Sequence, residues 1–135
     1  MRKLNKVIIH CSYTPEGREH DVDDIRAWHK AQGWSDVGYH CIIKLDGTIE
    51  AGRPITKIGA HCKGYNQGSI GKCYIGGMDK TDRSPKDTRT ESQKESIVNL
   101  VNSLNTVFGE LSVHGHNEFS SKACPCFDVK EEFYS

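Results

Sequence analysis

The sequence has no long apolar run. Its densest hydrophobic stretches, Val7-Ile8-Ile9 and Cys41-Ile-Ile43, are a fraction of the roughly 20 residues that a membrane-crossing helix needs, so no membrane association is expected. It has no net charge either: 18 lysines and arginines balance 18 aspartates and glutamates. No global field therefore draws the chain to nucleic acid or to an anionic surface. The opening residues, Met1-Arg-Lys-Leu-Asn-Lys6, start basic but lack the apolar stretch and small-residue cleavage site of a signal peptide. Retention in the cytoplasm until another agent releases the protein is the expectation. There is no internal repeat and no low-complexity tract. What remains is one domain, residues 1–135, long enough to bury a core without staples. Six cysteines (Cys11, Cys41, Cys62, Cys73, Cys124, Cys126) form an even set that invites a disulfide framework. The missing leader argues instead for reduced thiols. Cys41 and Cys73 sit in apolar, strand-like surroundings and read as small buried hydrophobes.

Residues 6–10 read as a buried strand, β-branched and ended by a polar cluster. Residues 14–17, with Pro15 and Gly17, read as a loop. A helix is expected over 21–32: aspartates favour its N-terminal end, Val22, Ile25, Trp28 and His29 recur at helical spacing, and Gly33 stops it. Asp46-Gly47 between residues 39–45 and 48–51 signals a hairpin. Residues 52–68 read as a surface loop, 69–75 as a buried strand and 78–89 as an exposed loop. Thr90 and Gln93 make a capping box for a helix reaching Phe108, with Ile97, Leu100, Val101, Leu104 and Phe108 as its apolar stripe. A short strand over 111–113 and a last helix capped by Asp128 complete the chain. Strands alternating with helices, plus one hairpin, predict an α/β (α+β) single domain with a central mixed β-sheet flanked by helices.

The chemistry concentrates in His114-Gly-His-Asn-Glu-Phe-Ser-Ser-Lys-Ala-Cys-Pro-Cys126, which holds two histidines, a lysine and two cysteines. Far upstream, the apolar run Val7-Ile8-Ile9 ends in His10. Imidazole nitrogen and thiolate sulfur suit zinc, and a catalytic zinc takes three protein ligands and leaves a fourth position to water. His10, His116 and Cys124 supply such a set, the last two being eight positions apart. Rivals exist: in extended chain His114 shares a face with His116, and Cys126 with Cys124 unless Pro125 turns the chain, whereas Cys11 and His40 point away from His10 and Tyr39. Lys122 shares a face with Cys124. One thiolate ligand makes zinc a weaker Lewis acid, and a nearby ammonium offsets this where an oxyanion develops. Tyr39 can serve similarly. The plainer readings are a core aromatic with a solvated tip for Tyr39 and an ordinary surface lysine for Lys122.

Several segments occur together in one order: Ile9-His-Cys-Ser12, Trp28-His-Lys30, Gln32-Gly-Trp34, Val37-Gly-Tyr-His40, Asp46-Gly-Thr48, Glu50-Ala-Gly-Arg53, Lys63-Gly-Tyr-Asn66, Ser69-Ile-Gly71 and Lys122-Ala-Cys-Pro125. In this the chain resembles the zinc-dependent N-acetylmuramoyl-L-alanine amidases, whose fold is shared by the peptidoglycan recognition proteins, and in particular their small phage members. The resemblance runs from His10 to Asp128. It implies an amidase domain over 1–135 that hydrolyses the amide between N-acetylmuramic acid and L-alanine of the stem peptide in peptidoglycan, as a phage or prophage endolysin. It implies Zn2+ on His10, His116 and Cys124, catalytic roles for Tyr39 and Lys122, and substrate contacts for His61 and Asn66. The resemblance alone sets His114 aside. Asn117 stands where small phage members carry a second histidine, and Cys126 replaces a serine; its thiol could bind metal aberrantly or oxidise with Cys124. Peptidoglycan is the implied partner, for a monomer without a separate wall-binding module. A polymerase contact rests on the resemblance alone. Two other readings stand beside the zinc hydrolase: a non-catalytic peptidoglycan-binding module of the same fold, and a cysteine hydrolase using Cys124 with a histidine base.

Overall fold

Strands buried on both faces of a parallel sheet read as continuous apolar runs rather than alternating ones, and Val7-Ile8-Ile9 is such a run. The computed structural model describes residues 2–134. It contains β1 (Lys6–Cys11), β2 (Thr14–Pro15), α1 (Val22–Ala31), β3 (Cys41–Ile43), β4 (Ile49–Ala51), β5 (Ser69–Tyr74), β6 (Gly77–Met78), α2 (Glu91–Phe108), β7 (Ser112–Gly115) and α3 (Val129–Tyr134). A five-stranded sheet has the order β4-β3-β5-β1-β7. β1, β3, β5 and β7 run parallel, and β4 pairs antiparallel with β3 through the Asp46-Gly47 turn. The mixed central sheet flanked by helices is therefore as expected.

The sheet has two apolar faces. Val7, Ile9, Ile43, Ile70 and Tyr74 pack with Ile97 and Val101 of α2, and with Val129 of α3. Leu100, Leu104 and Phe108 complete the α2 stripe at the edge of this core. The capping box forms as read: Thr90 Oγ1 accepts from Gln93 N, and Gln93 Oε1 accepts from Thr90 N. The opposite face packs Ile42, Cys73 and Ile75 with Ile25 of α1 and Val37. Strand alternation puts Ile8 and His10 on this second face, so the end of β1 aims a histidine at the α1 side. α1 begins at an Asp21 cap and buries Ile25, while Trp28 stays 40% exposed against His20.

Two loops depart from expectation. Thr14–Pro15 is a strand rather than a loop, paired in parallel with Gly77–Met78. The expected exposed loop over 78–89 ends in buried Thr88 and Arg89. The Arg89 guanidinium bonds Asp87 and Glu132 and lies 3.4 Å over the Phe127 ring. Glu132 and Phe127 lie in other segments, so the local charge pattern pointed to solvent.

Lys72 is the anomaly of the central strand. It alternates with Ile70 and Tyr74 on the α2 face, is 1% exposed, and has Cys41 beside it across the ladder. Burial lowers its pKa to about 8. The unfolded chain holds that proton up to about pH 10.4, so the cost of the buried charge is full below pH 8 and fades as pH rises between the two values. Lys72→Met should therefore raise stability by about 1–3 kcal/mol at neutral pH. The gain should shrink toward pH 10, as read by urea unfolding at the two pH values.

Candidate active site and metal centre

His10 is the penultimate residue of β1 and is 1% exposed. Its ring centroid lies 4.6 Å from that of His116, 5.0 Å from that of Tyr39 and 4.9 Å from that of His61. His116 opens a single 3-10 turn, His116–Glu118, immediately after β7. β7 is hydrogen-bonded to β1, so neighbouring parallel strands deliver both histidines to the same end of the sheet. Cys124 arrives on the loop between that turn and α3. The candidate ligand atoms of His10, His116 and Cys124 lie within 4.8 Å of one another, and this is the one His/Cys/acid group of its kind among the described residues. Two imidazoles and a thiolate form a donor set suited to a borderline-soft cation rather than to an oxygen-seeking one.

The electrostatics favour a ready ligand. Cys124 is held well below the ordinary thiol range. Hydrogen bonding from Cys11 is the largest cause, and His10 and His116 add to it against the cost of burial. The Cys11 backbone N–H donates to Cys124 Sγ at 3.2 Å. Burial holds His10 below the usual histidine range, which keeps it neutral as a ligand must be. Burial likewise raises the Tyr39 phenol, with Cys73 and Cys124 close by, so Tyr39 stays a hydroxyl donor.

The rivals are placed elsewhere. His114 uses both ring nitrogens, Nδ1 at 2.9 Å from Glu118 and Nε2 at 2.8 Å from Ser112 Oγ. Cys126 turns through left-handed backbone (φ 69°). Its thiol donates to Gly77 O at 3.2 Å and lies 3.9 Å from Cys11 Sγ, so its neighbouring thiol is Cys11 rather than Cys124. All six cysteines are free. His40 accepts from Gly71 N with Nδ1 and faces Lys57 O with Nε2. Asn66 spends its side-chain carbonyl on the backbone N–H groups of His61 and Cys62.

A cleft lies over the ligands in two lobes. One, of about 530 Å3, is lined by His29, Trp34, Tyr39, His61, Asn66 and Lys122 among others. The other, of about 460 Å3, is lined by Ser12, Tyr13, Tyr39, His116, Lys122 and Cys124 among others. Tyr39, His116 and Lys122 line both, so they mark where the lobes meet. Lys122 is exposed, and its charge is felt at His10. The sequence reading missed His29, whose Nδ1 accepts from Gly38 N at 2.9 Å, and the Cys11 N–H; a backbone donor leaves no signature in residue type.

Residues 1–127 match the family model described as N-acetylmuramoyl-L-alanine amidase. The endolysin of Escherichia phage T7 is 46% identical over 125 residues, which span 92% of this chain and 82% of that protein. The chain belongs to the N-acetylmuramoyl-L-alanine amidase family. The family fold agrees with solved structures. The amidase LysC from Clostridium intestinale superposes with a TM-score of 0.81 at 26% identity, over 97% of this chain and 83% of LysC. A Drosophila PGRP-LB variant in complex with tracheal cytotoxin superposes with a TM-score of 0.80 at 27% identity, over 100% of this chain and 82% of that one. Among the described residues of this amidase-family chain, no helix is long and apolar enough to cross a membrane.

Burial gives a direct check on the ligand set. In metal-free protein, iodoacetamide should label half-buried Cys124 and Cys126 before the four buried cysteines. Added zinc should protect Cys124 and leave Cys126 reactive, as peptide fragmentation by mass spectrometry resolves.

Proposed function

We propose that this amidase hydrolyses the amide between the lactyl group of N-acetylmuramic acid and L-alanine in peptidoglycan, as a phage endolysin, with zinc held by His10, His116 and Cys124 within one catalytic domain. The observation that carries this reading is the convergence of those three side chains, from opposite ends of the chain, beneath a cleft whose two lobes meet at Tyr39 and Lys122. The matching endolysins, the LysC amidase and the recognition protein in complex with tracheal cytotoxin support the substrate class.

When bound there, zinc supplies a Lewis acid and lowers the pKa of water at its open position. The chain supplies the rest. The two lobes hold the parts of the substrate on either side of the scissile amide. The Lys122 ammonium stands over the ligands, where attack on the amide carbonyl builds negative charge, and compensates for the charge that the Cys124 thiolate contributes. The Tyr39 hydroxyl, kept protonated by burial, donates to the same developing oxyanion or to the attacking water. His61 and Asn66 line the first lobe, which is where any contact of theirs with the substrate would be made. A binding-only role fits poorly with a complete ligand set, and a cysteine nucleophile fits poorly with a sulfur enclosed by two imidazoles.

Mass spectrometry of digested peptidoglycan tests the reaction: the products should be stem peptides with a free L-alanine amino terminus and glycan with an intact lactyl acid. Zinc-loaded protein that releases no peptide would instead support the binding module, and activity that survives chelation would support the cysteine hydrolase. Lys122→Ala and Tyr39→Phe should each lower kcat by about 10²–10³-fold, the scale of one oxyanion donor, with zinc content unchanged. Full activity in Lys122→Ala would remove the role assigned to it.

A further inference from the structure

His10 has two ring nitrogens, and one is already occupied. Its Nε2 lies 2.8 Å from His61 Nδ1. An ion cannot share that line, because a metal–nitrogen bond alone is about 2.0–2.1 Å long. Nδ1 is therefore the nitrogen left to join Cys124 and His116. A histidine ligand is neutral, so its remaining proton sits on the other nitrogen. His10 Nε2–H then donates to His61 Nδ1. That makes His61 the neutral tautomer protonated at Nε2, and this nitrogen faces Ser69 Oγ at 3.3 Å. The Ser69 hydroxyl in turn donates to Tyr65 O at 2.7 Å. Every donor in the chain has an acceptor, all in one direction, and the last acceptor is a backbone carbonyl that cannot reverse.

The packing around His61 is built to the ring. A methyl group at Gly71 would lie 2.5 Å from the His61 ring, and one at Gly59 would lie 2.7 Å from it. Two glycines from different segments thus leave the space that the imidazole fills. Asn66 holds the His61 backbone by accepting from its N–H at 2.9 Å. His61 is 9% exposed and Ser69 is fully buried. A residue whose main task was to contact substrate would need neither the glycine cradle nor an internal partner at each ring nitrogen.

We propose that His61, backed by Ser69, is a positioning residue: it fixes the tautomer and ring orientation of His10 so that Nδ1 faces the metal. The inference rests on the zinc reading above. Partners of this kind around a metal ligand typically change metal affinity by about 10–100-fold when removed.

The test is the zinc dissociation constant, measured by competition with a chromophoric chelator on the purified full chain and on three variants. His61→Ala should bind zinc about 10–100-fold more weakly. In His61→Asn the side-chain oxygen can stand where Nδ1 stood and accept from His10, so zinc affinity should recover to near the unmutated value. Ser69→Ala, which removes no ring from the core and acts only through His61, should weaken zinc by about 3–10-fold, below the range for removal of the direct partner. It carries the test by itself if His61→Ala does not fold. Melting temperatures of the metal-free proteins and KM at saturating zinc complete the comparison. A purely structural role would lower the metal-free melting temperature and leave zinc affinity unchanged. A substrate contact would raise KM and leave zinc affinity unchanged. Either result, or equal losses in His61→Ala and His61→Asn, overturns the inference while the zinc reading stands. Failure of the unmutated chain to bind zinc near one per molecule would overturn both.

Discussion

One hydrogen bond joins the two ends of the chain at the point where the chemistry sits. The Cys11 backbone N–H donates to Cys124 Sγ at 3.2 Å, across 113 positions of sequence. It ties the loop after β7 to the end of β1, where the side chains of Cys11, His10 and His116 hold the sulfur below the ordinary thiol range. β1 is the fixed partner in this tie. It is sandwiched between β5 and β7 in the sheet, its apolar side chains are fully buried, and its last residues are His10 and Cys11. A loop carrying Cys124 would have many conformations by itself, but a loop docked on a central strand has few. The loss of chain entropy is met by core packing elsewhere, so the three candidate ligand side chains arrive already positioned.

The sheet divides the work between its faces. The α2 face holds the larger apolar cluster and contributes stability. The α1 face gives up part of its packing to polar groups: His10, His61, Tyr39 and the glycines that make room for them. Polar groups at this density are tolerable only when each has a partner. On this face His10 pairs with His61, His61 with Ser69, and His40 with Gly71 and Lys57; Arg2 Nη1 is the buried side-chain nitrogen among the described residues that lacks a partner. Lys72 is the charged exception on the opposite face, a lysine 1% exposed between Ile9 and Cys41 across the ladder.

Much of this was legible in the residues. The apolar run of β1, the Asp46-Gly47 hairpin and the Thr90/Gln93 box with its five-residue stripe each carry their signal within a short window, and each formed. His10, His116 and Cys124 were readable as candidate ligands by residue type, yet periodicity alone left His114 and Cys126 as rivals. What separates them is conformation at two residues: the His114 ring is bound on both sides, and the Cys126 backbone turns left-handed and carries its thiol toward Cys11. The rest was hidden because it depends on pairing between distant segments. The β2–β6 pair, the burial of Arg89 against Glu132 and Phe127, and the seat of His61 between Gly59 and Gly71 all have partners tens of residues away. The backbone donor at Cys11 is legible from no residue type.

Anomalous diffraction at the zinc edge, from crystals grown with zinc, tests the central claim most directly. The account predicts one peak bound by His10 Nδ1, His116 and Cys124 Sγ, with the fourth position open to the cleft between Tyr39 and Lys122. A peak on Cys126 or His114, a peak on His10 Nε2 with His61 displaced, or no peak between the three side chains would contradict it.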